Sequence, residues 1–173
     1  VAALPQLGVA LKVNINSSSR ELANTIRAAY DEAILTGKVH RVAIDLEKGE
    51  YWAEVGNRTF LIQTKEQEAE SEKKLKQLSE EERKTHGAKF SIASGVNKHK
   101  KRLPKGVHFT DIQTSYAKEP VKAGIAYAHI FPQGFIEKLT IHLKDDFDRE
   151  STLLVNSVTG KSRLMQRYYK EGE

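Results

Sequence analysis

The spacing of apolar residues changes once along this chain, at Gly37, and that change restricts the fold more than any other feature: helical spacing precedes it and alternation follows it. From Ser18 onward, Leu22, Ile26, Ala29 and Ala33 recur at offsets of four, three and four, with Arg20, Asn24, Arg27 and Asp31 on the opposite side. The pattern predicts one helix with one buried stripe, and Gly37 suits the left-handed residue that ends a helix. Two starting points fit. Ser18 and Glu21 have capping-box spacing, whereas Pro5 would stand in the first turn of a helix continued backwards through Asn14, Asn16 and three serines, which are weak helix formers.

After Gly37, Val42, Ile44 and Leu46 alternate with Arg41, Ala43 and Asp45, and Lys48-Gly49 turns the chain into residues 51–55, which predicts a hairpin. Tyr51 and Trp52 would be core or rim of that hairpin. Further strands are expected at 59–63, 90–93, 107–113, 125–131 and 135–143, with a closing pair at 152–156 and 161–165 around Thr159-Gly160. In the 135–143 run, Leu139, Ile141 and Leu143 point one way while Lys138, Thr140 and His142 point the other, which predicts a sheet with one wet face. Residues 65–85 break the pattern: they carry 13 charges and pairs such as Glu70/Lys74 and Glu80/Lys84 at helical spacing, so an exposed helix is expected there.

A chain of 173 residues can bury one self-sufficient core, and 39% hydrophobic with 29% charged residues is the balance of a folded protein. The reading is therefore α+β and a single unit over 1–173. It comprises an N-terminal helix to 37, a sheet region 38–165 with the charged helical insertion 65–85, and a tail 166–173. Cysteine is absent, which excludes disulfides, thiolate metal sites and a cysteine nucleophile. No run of 18 apolar residues occurs, yet Val1 to Leu11 is apolar apart from one glutamine and uncharged, fitting either the end of a membrane helix or a buried segment.

No phosphate-cradling glycine loop, nucleophile elbow or His-Glu-x-x-His helix is present. The six histidines, at 40, 86, 99, 108, 129 and 142, never fall within four residues of one another. His129 and His142 flank a turn and are the pair that a hydrolase would use, but two histidines without a third ligand make a poor metal site, so hydrogen-bonded or solvent-facing roles are expected. Carboxylates at 146, 148 and 150 have a spacing with which loops wrap calcium; without the glycine and distal glutamate of such a loop, and with Arg149 among them, a solvated strand connection is the expectation. Neither a cofactor nor a metal is expected.

The net charge of +5 is local. Lys98, Lys100, Lys101, Arg102 and Lys105 lie within ten residues that hold no acid, and with these five set aside the 28 basic residues fall to 23, equal to the acids. The segment is expected to be a loop, one that could contact a polyanion or an acidic partner through salt-sensitive charge pairing. It has no interleaved aromatic residue for base stacking, so nucleic acid is the less favoured partner.

Taken in order, residues 20–37 with the following 42–54, then Ile130-Phe-Pro-Gln-Gly134, then the run from Leu153 to Leu164, resemble H-type minor pseudopilins of the general (type II) secretion pathway and the related FimT-type minor pilins. The resemblance implies a pilin-like fold, with a long N-terminal helix packed on antiparallel sheets in a β-sandwich-like arrangement. It also implies a non-enzymatic periplasmic subunit, held in the bacterial inner membrane by a segment ahead of Val1. That subunit would assemble with other pseudopilins into a short fibre that drives protein export across the outer membrane, with no small-molecule substrate. Leu22, Ile26, Ala29 and Ala33 are then the expected helix packing and assembly residues. The alternative within the resemblance is a FimT-like pilin that binds DNA through the basic segment during uptake.

Overall fold

The computed structural model describes residues 4–56 and 90–170, with 4–14 as helical backbone alone. The predicted strand at 59–63 and charged helix at 65–85 lie outside the described residues. One helix, α1 (Leu4–Thr36), leads the chain, so the continuation back to Pro5 is the start that the structure adopts. Ser18 is not a cap. It and Ser19 are buried in the helix interior, where Ser19 Oγ donates to the Ile15 carbonyl at 2.8 Å and lies 3.2 Å from Ser151 Oγ. A serine that satisfies itself on the preceding turn and then meets a strand costs the helix little, so burial overrides weak propensity. Gly37, at φ +65°, ends the helix.

Among the described residues ten strands follow: β1 (His40–Asp45), β2 (Glu50–Gly56), β3 (Phe90–Ile92), β4 (Lys101–Arg102), β5 (Val107–Thr114), β6 (Ile125–Phe131), β7 (Phe135–Ile136), β8 (Leu139–Asp145), β9 (Glu150–Val155) and β10 (Ser162–Met165). One sheet runs β3-β2-β1-β6-β7, with β4 also on β2; the other runs β10-β9-β8-β5, and all pairings are antiparallel. The predicted first hairpin is there, with Asp45 opposite Glu50. Its turn is tied by the buried Asp45 carboxylate, which accepts the Lys48 N–H at 3.0 Å; that bond, with the Lys48 ammonium nearby, holds the carboxyl below its ordinary range.

Helix α1 touches β1, β2 and β6 of the first sheet and β8, β9 and β10 of the second. Leu22, Ile26, Ala29 and Ala33 are completely covered there. On β1, Val42 sits between Ala53 and Ala128, and Ile44 between Tyr51 and Ala126, all in the same core as the helix stripe. Small side chains let the helix axis approach the sheet closely, and the stronger dispersion attraction at that short distance is the reason the stripe carries two alanines.

Two expectations need correction. The 135–143 run is not one strand: β7 pairs with β6 in the first sheet, while β8 belongs to the second, and the Ile136 N–H bonds the Ser157 carbonyl where the sheets meet. Nor is the polar face of β8 wet, because Thr140 and His142 are buried. The C-terminal segment covers that face. Thr152 Oγ1 donates to the Arg167 carbonyl at 2.7 Å and accepts the Tyr169 N–H at 3.0 Å, and the Tyr168 ring stacks on His142 at 4.0 Å.

Candidate functional site

The basic segment is built on a clamp. Asn97, buried, accepts the Ala53 N–H of β2 and donates to the His99 carbonyl, and the Leu103 N–H bonds the Gly49 carbonyl. Between these anchors the chain forms β4 instead of the expected loop, since residues 101 and 102 pair with 51 and 50. Lys101 Nζ reaches Glu21 of the helix at 3.1 Å, Arg102 pairs with Glu50, and the Lys100 ammonium sits 3.8 Å above the Trp52 ring. Three of the five cations therefore face acids or an aromatic ring of the same chain. Lys98 and Lys105 are exposed. Trp52 is buried, so it offers no ring to a base.

His129 and His142 do not come together. His129 lies on β6, where its Nδ1 and backbone N–H both donate to Glu137, at 2.9 and 2.8 Å. Burial pushes the Glu137 carboxyl up, but the two His129 hydrogen bonds outweigh it and leave the group below its ordinary range. His142 lies on β8 and pairs through Nδ1 with Asp111 of β5 at 2.8 Å. A bulge between Phe109 and Asp111 sets this up: it advances β5 by one residue and brings Asp111 opposite His142. The other ring nitrogen bonds the Tyr169 carbonyl at 2.9 Å, and Tyr168 donates to the second Asp111 oxygen at 3.1 Å. Both ring nitrogens thus face groups of the chain itself. The pair fastens the C-terminal segment. Among the described residues no group of three His, Asp or Glu side chains could hold a metal ion. In the 145–150 hairpin the cation is the chain's own: Asp145 accepts from Phe147 N, Arg149 N and Arg149 Nε.

The helix itself presents two flanks. One is buried in the two sheets; on the other, Arg20, Asn24, Ala28, Asp31 and Leu35 form an exposed stripe at helical spacing, Leu35 being 82% exposed. Leu22, Ile26, Ala29 and Ala33 all lie on the first of these flanks, covered by the chain's own strands. At the helix end, the Tyr30 hydroxyl meets the Gly134 and Val158 carbonyls, joining the β6–β7 and β9–β10 turns, and Ile34, Phe135 and Val158 stand exposed around it. The sequence stripe revealed the buried flank; nothing in it marked the two turns as neighbours.

A long leading helix seated on two antiparallel sheets is the α+β arrangement that the sequence predicts. Two solved structures resemble it, both of the minor pseudopilin EpsH from the type 2 secretion system of Vibrio cholerae. One is 12% identical, covering 88% of this chain and 97% of that one at a TM-score of 0.49, and the other is 13% identical, covering 89% and 94% at 0.48. No protein-family profile matches the sequence, and no curated protein does. Among the described residues no helix is long and apolar enough to cross a membrane.

Proposed function

We propose that this chain is a non-enzymatic subunit of a type II secretion pseudopilus, of the H-type minor class, and that it takes part in protein export across the outer membrane. The observation that carries the reading is the division of α1 into two flanks. A helix of 33 residues is about 50 Å long, and over the described side chains, from Ile15 onward, one side of it is buried against the strands while the other is exposed. The exposed stripe from Arg20 to Leu35 supports a role in lateral packing between subunits, with the sheets as the variable outer body. In the family that the sequence resembles, such a helix continues into the inner membrane and its body lies in the periplasm; both belong to this proposal.

The test is site-specific photocrosslinking in the native host. A crosslinker at Asn24 or Ala28 is expected to capture other pseudopilins, one at Ala29 is expected to capture none, and deletion of the gene is expected to lower export. Full export in the deletion strain together with no capture from either exposed position would overturn the reading. Fluorescence anisotropy with labelled DNA tests the uptake alternative: salt-sensitive binding lost on replacing Lys98 and Lys105 would favour it over secretion.

A further inference from the structure

The second sheet ends on β5 at one side and on β10 at the other, and the two edges differ. β5 is closed at Ile112, which exchanges two backbone hydrogen bonds with Val121 at 2.9 and 2.8 Å. β10 is open. Its pairing with β9 sets Ser162 opposite Val155 and Leu164 opposite Leu153, and the Asn156 N–H bonds the Lys161 carbonyl at 2.8 Å. Bonded pairs alternate along an antiparallel ladder, so Arg163 and Met165, in step with Lys161, turn their backbone groups to β9, while Ser162 and Leu164 turn theirs outward. Among the described residues no backbone bond reaches the outward groups of either.

Two further observations say what this edge would take. Leu164 packs against the core, so Lys161 and Arg163, of the other parity, project from the opposite face, where both are exposed. Neither is ion-paired among the described residues. The segment that follows, 166–170, contains no acid, and it leads away from this edge, bonding Thr152 of β9, then His142 of β8 and Asp111 of β5. On the core-facing side, the Ser162 hydroxyl is enclosed and, among the described residues, has no hydrogen-bond partner. A buried hydroxyl is rarely left so without a reason, and this one stands on the open edge.

Charged side chains on an edge strand are a common defence against further strands. Here the defence has a sign. A second copy laid along β10 with its faces matched would bring Lys161 and Arg163 against cations of its own, and like charges directly opposite one another repel; acidic residues at alternate positions attract. The same added strand would set its other side chains beside Ser162 and Leu164, about 4.5–5.5 Å away between Cβ atoms, where a hydroxyl can bond Ser162 Oγ and an aliphatic group extends the cover of Leu164.

We propose that the free edge of β10 binds an extended segment of a partner protein as an added strand, with acidic residues at alternate positions facing Lys161 and Arg163. Backbone bonds to Ser162 and Leu164 supply affinity, and the charged face supplies selection. The site uses no residue of the exposed α1 stripe, so it stands or falls separately from the pseudopilus reading.

The experiment follows amide chemical shifts and amide hydrogen exchange of the full chain during titration with a short capped peptide that alternates Glu with Thr and Val; the same peptide with Lys for Glu is the control. Saturable shifts centred on β10 are expected, with slowed exchange at Ser162 and Leu164 and none at Arg163 and Met165, which β9 already holds. The double change Lys161→Gln, Arg163→Gln is expected to weaken binding about threefold to tenfold, as the loss of two exposed charge pairs would. Ser162→Pro removes an outward donor at the first position of an edge strand, where proline is tolerated, and should weaken binding at least as much. A peptide N-methylated along its bonding side needs no change in the protein and should not bind. Equal binding of the Lys peptide or the N-methylated peptide, or shifts without protection of Ser162 and Leu164, would overturn the proposal. So would either of two other occupants: a DNA duplex that engages the same two cations more tightly than the acidic peptide, or protection that rises with protein concentration in the absence of peptide, which would assign the edge to a second copy.

Discussion

Gly160→Ala probes the seam between the helix and the second sheet. Gly160 adopts φ +64° in the β9–β10 turn, and a Cβ built there would stand 2.5 Å from Tyr30 Cγ, 2.8 Å from Cδ2 and 2.9 Å from Cβ. Tyr30 has no room to retreat, being buried with its hydroxyl bonded to two turns. Two effects should therefore combine: about 1 kcal/mol for a left-handed alanine, and about 1–3 kcal/mol for overpacking. Gly124→Ala isolates the first, because Gly124 has φ +76° and nothing within 4 Å of its Cβ position. Urea unfolding reads the difference. With m about 2 kcal/mol/M, Gly160→Ala is expected to lower the midpoint by about 1–2 M and Gly124→Ala by about 0.5 M, with m unchanged. In a Tyr30→Ala background most of the excess should vanish, as the obstructing ring is gone. Equal losses for the two glycines, or an excess that persists without the ring, would refute the packing of this turn on α1.

Other perturbations sample separate parts of the molecule. Leu22→Ala, at a fully covered site, is expected to cost about 2–5 kcal/mol in the same assay, whereas Leu35→Ala should stay within about 0.5 kcal/mol while weakening any subunit contact. His142→Ala or Asp111→Ala strands the buried partner at a cost of about 3–5 kcal/mol, and amide exchange at Tyr169 should rise in both; unchanged exchange would mean the C-terminal segment is held some other way. The Glu137 carboxyl is depressed below its usual value, so the stability it adds is present above the unfolded-state value near 4.5 and is lost as pH falls through the lower folded-state midpoint. A ¹³C titration should place that midpoint below 4.5 and move it upward in His129→Ala, since burial then acts with one hydrogen bond fewer against it.

Much of the architecture was legible because it rests on apolar spacing. The end of α1 at Gly37, the β1–β2 hairpin, β6 and the closing β9–β10 pair all follow from where Leu, Ile and Val recur. The parts that were not legible depend on polar residues buried by remote segments. Ser18 stood as one of two possible helix starts because no local rule says that the serine beside it, Ser19, will meet Ser151 of β9. Thr140 and His142 read as wet because their cover, Tyr168 and Tyr169, comes from the end of the chain. One sign was present in the sequence: Phe109 and Ile112, both core residues, are three positions apart in a strand whose period should be two, which is what a bulge produces. That irregularity places Asp111 against His142.

Charge shows the same separation between sequence and space, and it bears on which surface acts. The basic run at 98–105 is dense along the chain, yet folding brings Glu21 from the helix and Glu50 from β2 against it, so two of its five cations are paired and a third is spent over Trp52. Exposed pairs of this kind contribute at most about 1 kcal/mol each to stability, but they lower the local potential that would draw a polyanion. Field strength depends on the distance between charges and on how far solvent is excluded between them, not on their order in the chain.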